Sequence, residues 1–263
     1  MTDPLAVLAA IDAAIDETAR LEGEGWEKSP GEWVTERDIS IETILSEYLV
    51  SLMPGSRVLG EEAASDADGL LVETNAGSLW VVDPIDGTAN YVARAGPVAT
   101  MVALSVDGST QLSCIRMHGG EALVASADGV KILDGGTSRV ERGSIQHTPT
   151  GRGMISGRFL SASVHQRLRE SVCDYEIVDG SGCAGRDYLD LVAGSLDFLV
   201  YERVLPWDHL PGAHAVQVMG GSVSLSDGST YRGQSGIRGL VASRSRDLTM
   251  RLLAARQVAF QAC

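Results

Sequence analysis

The 263-residue chain is 44% apolar and carries a formal net charge of −14. It is long enough to bury a substantial core as one large domain or two small ones, and its acidic surface disfavours nucleic acid as a partner. No run reaches the roughly 18–20 apolar residues of a membrane span, and Met1-Thr2-Asp3-Pro4 lacks the basic-then-apolar order of a signal peptide, so a cytoplasmic protein is expected.

Leu5, Leu8, Ala9, Ile11, Ala14, Ile15 and Ala19 form a helical stripe over residues 4–21. Gly23, Gly25 and Ser29-Pro30-Gly31 break it into a loop. A second helix is expected from Asp38 to Leu52, with Asp38 as its cap and Pro54-Gly55 as its end. Arg57–Gly60 reads as a short strand delivering Glu61 and Glu62, followed by a polar loop over residues 63–78. Leu79–Val82 is a buried strand that should stop at Pro84, which cannot donate to a sheet. Val98–Val106, Gln111–Met117, Glu121–Ser126 and Val130–Leu133 are successive strands separated by Asp-Gly and Gly-Gly turns, which predicts an antiparallel sheet. The Gly-, Ser- and Thr-rich segment 134–153 is the expected boundary between an α+β half, residues 1–145, and an α/β half, residues 146–263. In the second half strands near 153–157, 175–179 and 196–202 alternate with helices near 161–172, 183–194 and 207–219. Short strands follow Gly220-Gly221, and a helix over 245–258 closes the chain.

Cys114, Cys173, Cys183 and Cys263 show neither CxxC spacing nor a paired framework, which fits free thiols in a reducing compartment. His209 and His214 are five residues apart and share no helix face, so a zinc site is not expected.

The chain is organised around Asp83-Pro84-Ile85-Asp86-Gly87-Thr88-Ala89-Asn90-Tyr91. Two carboxylates converging in a turn at a strand end make a hard-oxygen pocket suited to Mg²⁺. Gly87 admits a close ligand, and a helix starting near Thr88 would offer free N–H groups to an anion. Asp-Pro-x-Asp-Gly alone is an ordinary turn. Here, however, acids also stand at element boundaries in Thr35-Glu36-Arg37-Asp38, Gly60-Glu61-Glu62 and Pro206-Trp207-Asp208-His209. Each of these alone has a simple explanation as a cap or a loop charge.

Taken in order, the anchors resemble the inositol monophosphatase superfamily of Mg²⁺-dependent, lithium-sensitive phosphatases. The resemblance rests on Lys28…Val34-Thr35-Glu36-Arg37-Asp38, Gly60-Glu61-Glu62, Asp83 through Asn90, Trp207-Asp208…Gly212 and Gly220-Gly221, and it spans nearly the whole chain. It implies a layered αβαβα sandwich, α+β in its first half and α/β in its second, with the active site between the halves, and a homodimer. It further implies that Glu61, Asp83 and the Ile85 carbonyl hold one metal and that Asp83, Asp86 and Asp208 hold another. Asp86, Gly87 and Thr88 would face the substrate, with the Gly87 and Thr88 N–H groups cradling its phosphate. Thr88 and Asp38 would position and deprotonate the attacking water, and Gly182-Cys183-Ala184 would line the alcohol.

The chemistry is consistent with that reading, because a phosphate dianion repels nucleophiles and two cations about 3.5–4 Å apart stabilise both oxygens of an in-line displacement. The expected function is a Mg²⁺-dependent phosphomonoesterase for a small polyol or sugar phosphate, such as myo-inositol 1-phosphate. Bisphosphate nucleotidase, fructose-1,6-bisphosphatase and histidinol-phosphatase activities are alternatives on the same site. A non-enzymatic interaction protein is a reading of another class, and the intact acids argue against it. The chain departs from the family where many members place a substrate-binding Glu four residues after the Asp matching Asp197. Tyr201 stands there, and strand alternation points the neighbouring Glu202 to the other face. Tyr91 replaces a Phe, a mild change, and His209 is either a group behind the metal ligands or a surface residue at a helix start.

Overall fold

A computed structural model of the chain describes residues 2–21, 24–64, 77–135, 137–141, 149–234 and 236–261. Helix α1 (Pro4–Glu17) buries Val7, Leu8, Ile11 and Ala14 on one stripe and is capped by Asp3, whose side chain accepts from the Leu5 N–H at 3.0 Å. It ends earlier than its apolar stripe, with Thr18 as its C-cap and a turn over residues 18–20. The expected loop that follows contains a hairpin, β1 (Trp26–Ser29) against β2 (Glu32–Val34). Pro30-Gly31 is not a mere breaker but the two-residue turn between them, with Pro first and Gly second.

Helix α2 (Glu36–Leu52) starts two residues before the expected Asp38. Its cap is Thr35, and Asp38 is the third helical residue of a capping box, accepting from the Thr35 N–H at 2.9 Å while Thr35 Oγ1 accepts from the Asp38 N–H at 3.3 Å. Strand β3 (Arg57–Gly60) leads into a single helical turn, α3 (Glu61–Ala64). Of the polar loop read at 63–78, residues 65–76 lie outside the described residues.

Strand β4 (Ser78–Asp86) does not stop at Pro84. Between Asp83, opposite Met101, and Asp86, opposite Ala99, it carries one extra residue. This bulge absorbs the proline without ending the pairing, and the Thr100 hydroxyl satisfies the Pro84 carbonyl at 2.8 Å. After α4 (Thr88–Ala93), strands β5 (Ala99–Val106), β6 (Ser109–Met117), β7 (Ala122–Ser126), β8 (Gly129–Asp134) and β9 (Thr137–Glu141) continue an antiparallel meander. With β3 parallel to β4, they make a seven-stranded sheet in the order β3-β4-β5-β6-β7-β8-β9. Strand β9 falls inside the segment read from composition as a boundary, of which residues 142–148 are outside the described set.

The rest alternates as expected through β10 (Arg152–Ile155), α5 (Ala162–Glu170), β11 (Glu176–Val178), α6 (Ala184–Ala193), β12 (Phe198–Tyr201) and α7 (Pro206–Val218). Strands β13 (Ser222–Leu225) and β14 (Leu240–Ser243) and helix α8 (Arg246–Gln261) complete it. The second sheet runs β11-β10-β12-β14-β13, parallel among its first three strands and antiparallel beyond.

Three apolar clusters set the layers. Ile11, Ile41 and Leu45 of α1 and α2 pack on Trp80, Val82 and Val102 of the large sheet. The other face of that sheet, through Val81, Met101 and Ile115, meets Tyr188, Leu191, Leu210 and Val216 of α6 and α7, which also pack on Leu199, Val223 and Leu240 of the small sheet. Leu168 of α5 and Leu252 of α8 cover the remaining face at Phe198, Val200 and Val241. The order is helices, sheet, helices, sheet, helices: the expected αβαβα sandwich. The ends of β3 and β4 and the starts of α6 and α7 face one another across a cleft.

Candidate active site

Three carboxylates from separate elements converge in the cleft. Glu61 opens α3, Asp83 lies on β4 and Asp208 is in the first turn of α7, and one oxygen of each falls within 4.8 Å of the others. The Asp83 side chain is 1% exposed, and its Oδ1 has no hydrogen-bond partner. Burial, reinforced by the charges of Glu61, Asp86 and Asp208, pushes the Asp83 carboxyl well above its usual range. Burial and the Asp208 charge do the same to Glu61, and burial and the Asp86 charge raise Asp208. Such a cluster is unfavourable alone and favourable around a hard cation, which oxygen donors of this kind fit. Lys28, on β1, offsets part of the charge, pairing with Glu62 and approaching Glu61 at 3.9 Å.

Glu42 holds this corner together. It is buried on α2 among Ile41 and Leu45, and it accepts the Glu62 N–H at 2.8 Å and the Ala63 N–H at 3.0 Å, seating the turn that presents Glu61. A Cβ at residue 60 would lie 2.2 Å from the Glu42 carboxyl carbon, which is why Gly60 precedes the two glutamates. The sequence reading did not single out Glu42. A charged residue inside the apolar stripe of a helix was the available signal.

Asp38 and Thr88 meet in the cleft. Thr88 Oγ1 is 3.1 Å from Asp38 Oδ1 and 2.8 Å from the Ile85 carbonyl. Burial raises the Asp38 pKa to about 6, against the lowering pull of its bonds from Thr35. Gly87 turns the chain between β4 and α4 with φ +88°. A Cβ there would lie 3.0 Å from the Pro97 carbonyl and 3.2 Å from Cys183 Cβ, so the backbone can pass only as glycine.

Asp86 stands beside the trio and faces α6. Its Oδ1 accepts from the Ala184 N–H at 3.1 Å, and its Oδ2 accepts from the Gly185 N–H at 2.6 Å and the Cys183 thiol at 3.0 Å. Cys183 is the N-cap of α6 without capping its own helix, and the carboxylate from β4 does that instead. A carboxylate has about four acceptor positions, so Asp86 keeps capacity for another ligand. Asn90 fastens the same junction, donating to the Pro97 carbonyl at 2.9 Å and the Ser181 carbonyl at 3.0 Å. The structure thus brings Gly182, Cys183 and Ala184 against Asp86 and Gly87.

The cleft continues past Asp86 and Asp208 into a second hollow of about 350 Å³, adjoining the first of about 290 Å³. Tyr201 lines it and donates to Asp187 Oδ2 at 2.9 Å, while Glu202 is tied to Arg238 at 3.0 Å and Arg256 at 2.5 Å. His209, far from the surface, is 2% exposed, with its ring nitrogens 3.4 Å from the Tyr188 hydroxyl and 3.1 Å from the Arg203 carbonyl. Asp187, Arg158 and Arg203 line this hollow and were not anticipated, since no local pattern marks them.

Five layers with acids from α3, β4 and α7 meeting between the sheets define an α/β sandwich of the inositol monophosphatase and fructose-1,6-bisphosphatase type. The chain belongs to the inositol monophosphatase family, whose match covers residues 5–260. An inositol-1-monophosphatase of Mycobacterium leprae is 32% identical over 87% of this chain and 79% of its own length. A protein of Escherichia coli K12 named Nus factor SuhB is 25% identical over 79% of this chain and 78% of its own. The solved IMPase of Thermotoga maritima superposes with a TM-score of 0.74 at 19% identity, covering 98% of this chain and 96% of that one.

Proposed function

We propose that the protein is a Mg²⁺-dependent phosphomonoesterase acting on a small polyol or sugar phosphate. The observation that carries this reading is Asp83 Oδ1, buried without a partner amid Glu61 and Asp208, a carboxylate cluster whose repulsion a hard cation would relieve. Glu61, Asp83, Asp208, Asp86 and the Ile85 carbonyl would hold the metal. Bound there, it would offset the charge of the phosphate and of the departing alkoxide and would acidify a nearby water.

The chain's own groups would do the rest. The N–H groups of Gly87 and Thr88 would receive the phosphate oxygens. A water donating to Thr88 Oγ1 could pass its proton through that hydroxyl to Asp38 Oδ1, a carboxylate raised to about 6 and so a competent base near neutral pH. Gly182, Cys183 and Ala184 would contact the alcohol. On this reading residues 1–145 and 146–263 are the two halves that close the cleft, and the enzyme is a cytoplasmic homodimer without a nucleic-acid partner.

The experiment is phosphate release from myo-inositol 1-phosphate, fructose 1,6-bisphosphate, adenosine 3′,5′-bisphosphate, histidinol phosphate and glycerol 2-phosphate, each with Mg²⁺ and with chelator. Turnover of one substrate far above the others, abolished by chelator, is the expected result. Silence on all of them, with Mg²⁺ bound, would favour an interaction protein on the same fold.

A further inference from the structure

Two arginines converge where the second hollow opens off the metal-ligating corner. Arg158 follows β10 and Arg203 follows β12, and both line the two hollows. Their guanidinium carbons lie 5.0 Å and 5.2 Å from the centre of the Phe159 ring, which is 44% exposed. Phe159 holds φ +70°, a costly conformation for a bulky residue, and so keeps its ring between the two cations. Both arginines act on Asp208 through space, and Arg158 also acts on Asp86, so they stand within electrostatic reach of the chemistry.

Their partners leave charge to spare. Arg158 donates to a neutral group, the Gly31 carbonyl, and among the described residues it makes no ion pair. Arg203 pairs with Glu32 on the same hairpin at a partly exposed site, a kind of contact worth about 0–1 kcal/mol. Acids on the same wall are otherwise engaged: Glu202 by Arg238 and Arg256, and Asp187 by the Tyr201 hydroxyl and the Ser181 N–H. A neutral polyol would find few free acceptors here, whereas an anion would find two planar donor forks.

Resting on the phosphatase reading above, we propose that the preferred substrate is a phosphomonoester whose alcohol half carries a second anionic group, phosphate or carboxylate, received by Arg158 and Arg203. The hydrolysed phosphate sits at the acid cluster, and the second anion sits in the adjoining hollow beside Phe159.

The test measures kcat and KM with Mg²⁺ for two neutral-alcohol substrates, myo-inositol 1-phosphate and glycerol 2-phosphate, and three bearing a second anion. These are fructose 1,6-bisphosphate, adenosine 3′,5′-bisphosphate and 2-phosphoglycerate. Wild type should favour at least one doubly anionic substrate by about tenfold or more in kcat/KM, and Arg158→Ala should remove that preference mainly through KM, with Arg158→Lys restoring part of it. Glu32→Gln, which releases Arg203, should strengthen the preference. A loss confined to the bisphosphates names phosphate as the second anion, and one confined to 2-phosphoglycerate names carboxylate; either supports the assignment. Preference for the neutral alcohols, or equal losses on every substrate in Arg158→Ala and Arg203→Ala, would overturn it while leaving the phosphatase reading intact. No release from any substrate would instead defeat the phosphatase reading and this inference with it.

Discussion

On the large-sheet side of the cleft, Glu61, Asp83, Asp86 and Thr88 come from two neighbouring strand ends and the turns that follow them. On the small-sheet side, Arg158 lies between β10 and α5 and Cys183 caps α6, while Tyr201, Arg203 and Asp208 lie along one stretch from the end of β12 into the first turn of α7. The first wall is held by backbone pairing and by caps such as Glu42, so its oxygens keep fixed mutual distances. The second is a set of loops that can vary one at a time. On the proposed reading, most of the metal-holding oxygens sit on the rigid wall, joined by Asp208 from the other, and recognition of the alcohol falls to the adjustable wall.

The largest expected effect breaks the rigid wall. Asp83→Asn keeps the shape but removes the central charge, so Mg²⁺-dependent turnover should fall by more than about 100-fold. The metal-free variant should melt no lower than wild type, because a repelling carboxylate leaves a buried cluster, and Mg²⁺ should no longer raise its melting temperature. Residual activity above about a tenth of wild type would remove Asp83 from the central role.

Next comes pH, which separates the acid corner from the histidines. Asp38, raised to about 6, and Asp208, raised to about 7, bind protons more tightly folded than unfolded. Their contribution in the metal-free protein is therefore fully present below an unfolded value near 3.8 and lost as pH rises through about 6 to 7. His118, His209 and His214 act in the opposite sense, since burial lowers each from 6.5 to about 4. They favour folding above about 6.5 and lose that contribution as pH falls toward 4. Because Mg²⁺ must displace protons from the acids, its stabilisation should grow from pH 6 to pH 8. Melting curves with and without Mg²⁺ check this, and an equal gain at pH 5.5 and pH 8 would contradict it.

Gly60→Ala probes how the rigid wall is seated. The added methyl would meet the Glu42 carboxylate at 2.2–2.5 Å, forcing it off the Glu62 and Ala63 N–H groups. A loss of about 1–3 kcal/mol in urea unfolding is expected, with turnover reduced as Glu61 shifts. An unchanged midpoint would show that the corner can yield.

The same contrast explains what could be read in advance. Glu61, Asp83, Asp86 and Thr88 lie in contiguous segments where strand end, carboxylate, glycine and helix start are all local signals. Errors there concerned backbone detail. Pro84 does not stop β4, because a bulge carries it, and Asp38 does not cap α2, because Thr35 caps it and Asp38 completes the box. Pro30-Gly31 was read as a breaker because the paired strands β1 and β2 are only four and three residues long. Arg158 and Arg203 had no signal, since each gains its place from a contact with residues 31 and 32, more than a hundred positions away in the chain. Strand alternation points Glu202 away from the Tyr201 side, yet both residues line the second hollow, where Glu202 is paired with Arg238 and Arg256.

The smallest effect tests the adjustable wall alone. Tyr201→Phe deletes one hydroxyl, the one donated to Asp187 Oδ2 at 2.9 Å, and leaves the ring packed beside Tyr188 and His209. Asp187 keeps the Ser181 N–H at 3.1 Å, so the cost should be about 0.5–1.5 kcal/mol, the net value of one hydrogen bond. The freed carboxylate, which burial raises to about 6, would then be the nearest unengaged acceptor on that wall. It should bind a neutral polyol's hydroxyls better and a second anion worse. The expected readout is a shift of kcat/KM toward myo-inositol 1-phosphate at the expense of doubly anionic substrates, carried by KM, with kcat changed little. A fall in kcat as large as that of Asp83→Asn would mean that the two walls are not separable, and that Tyr201 supports the acid corner directly.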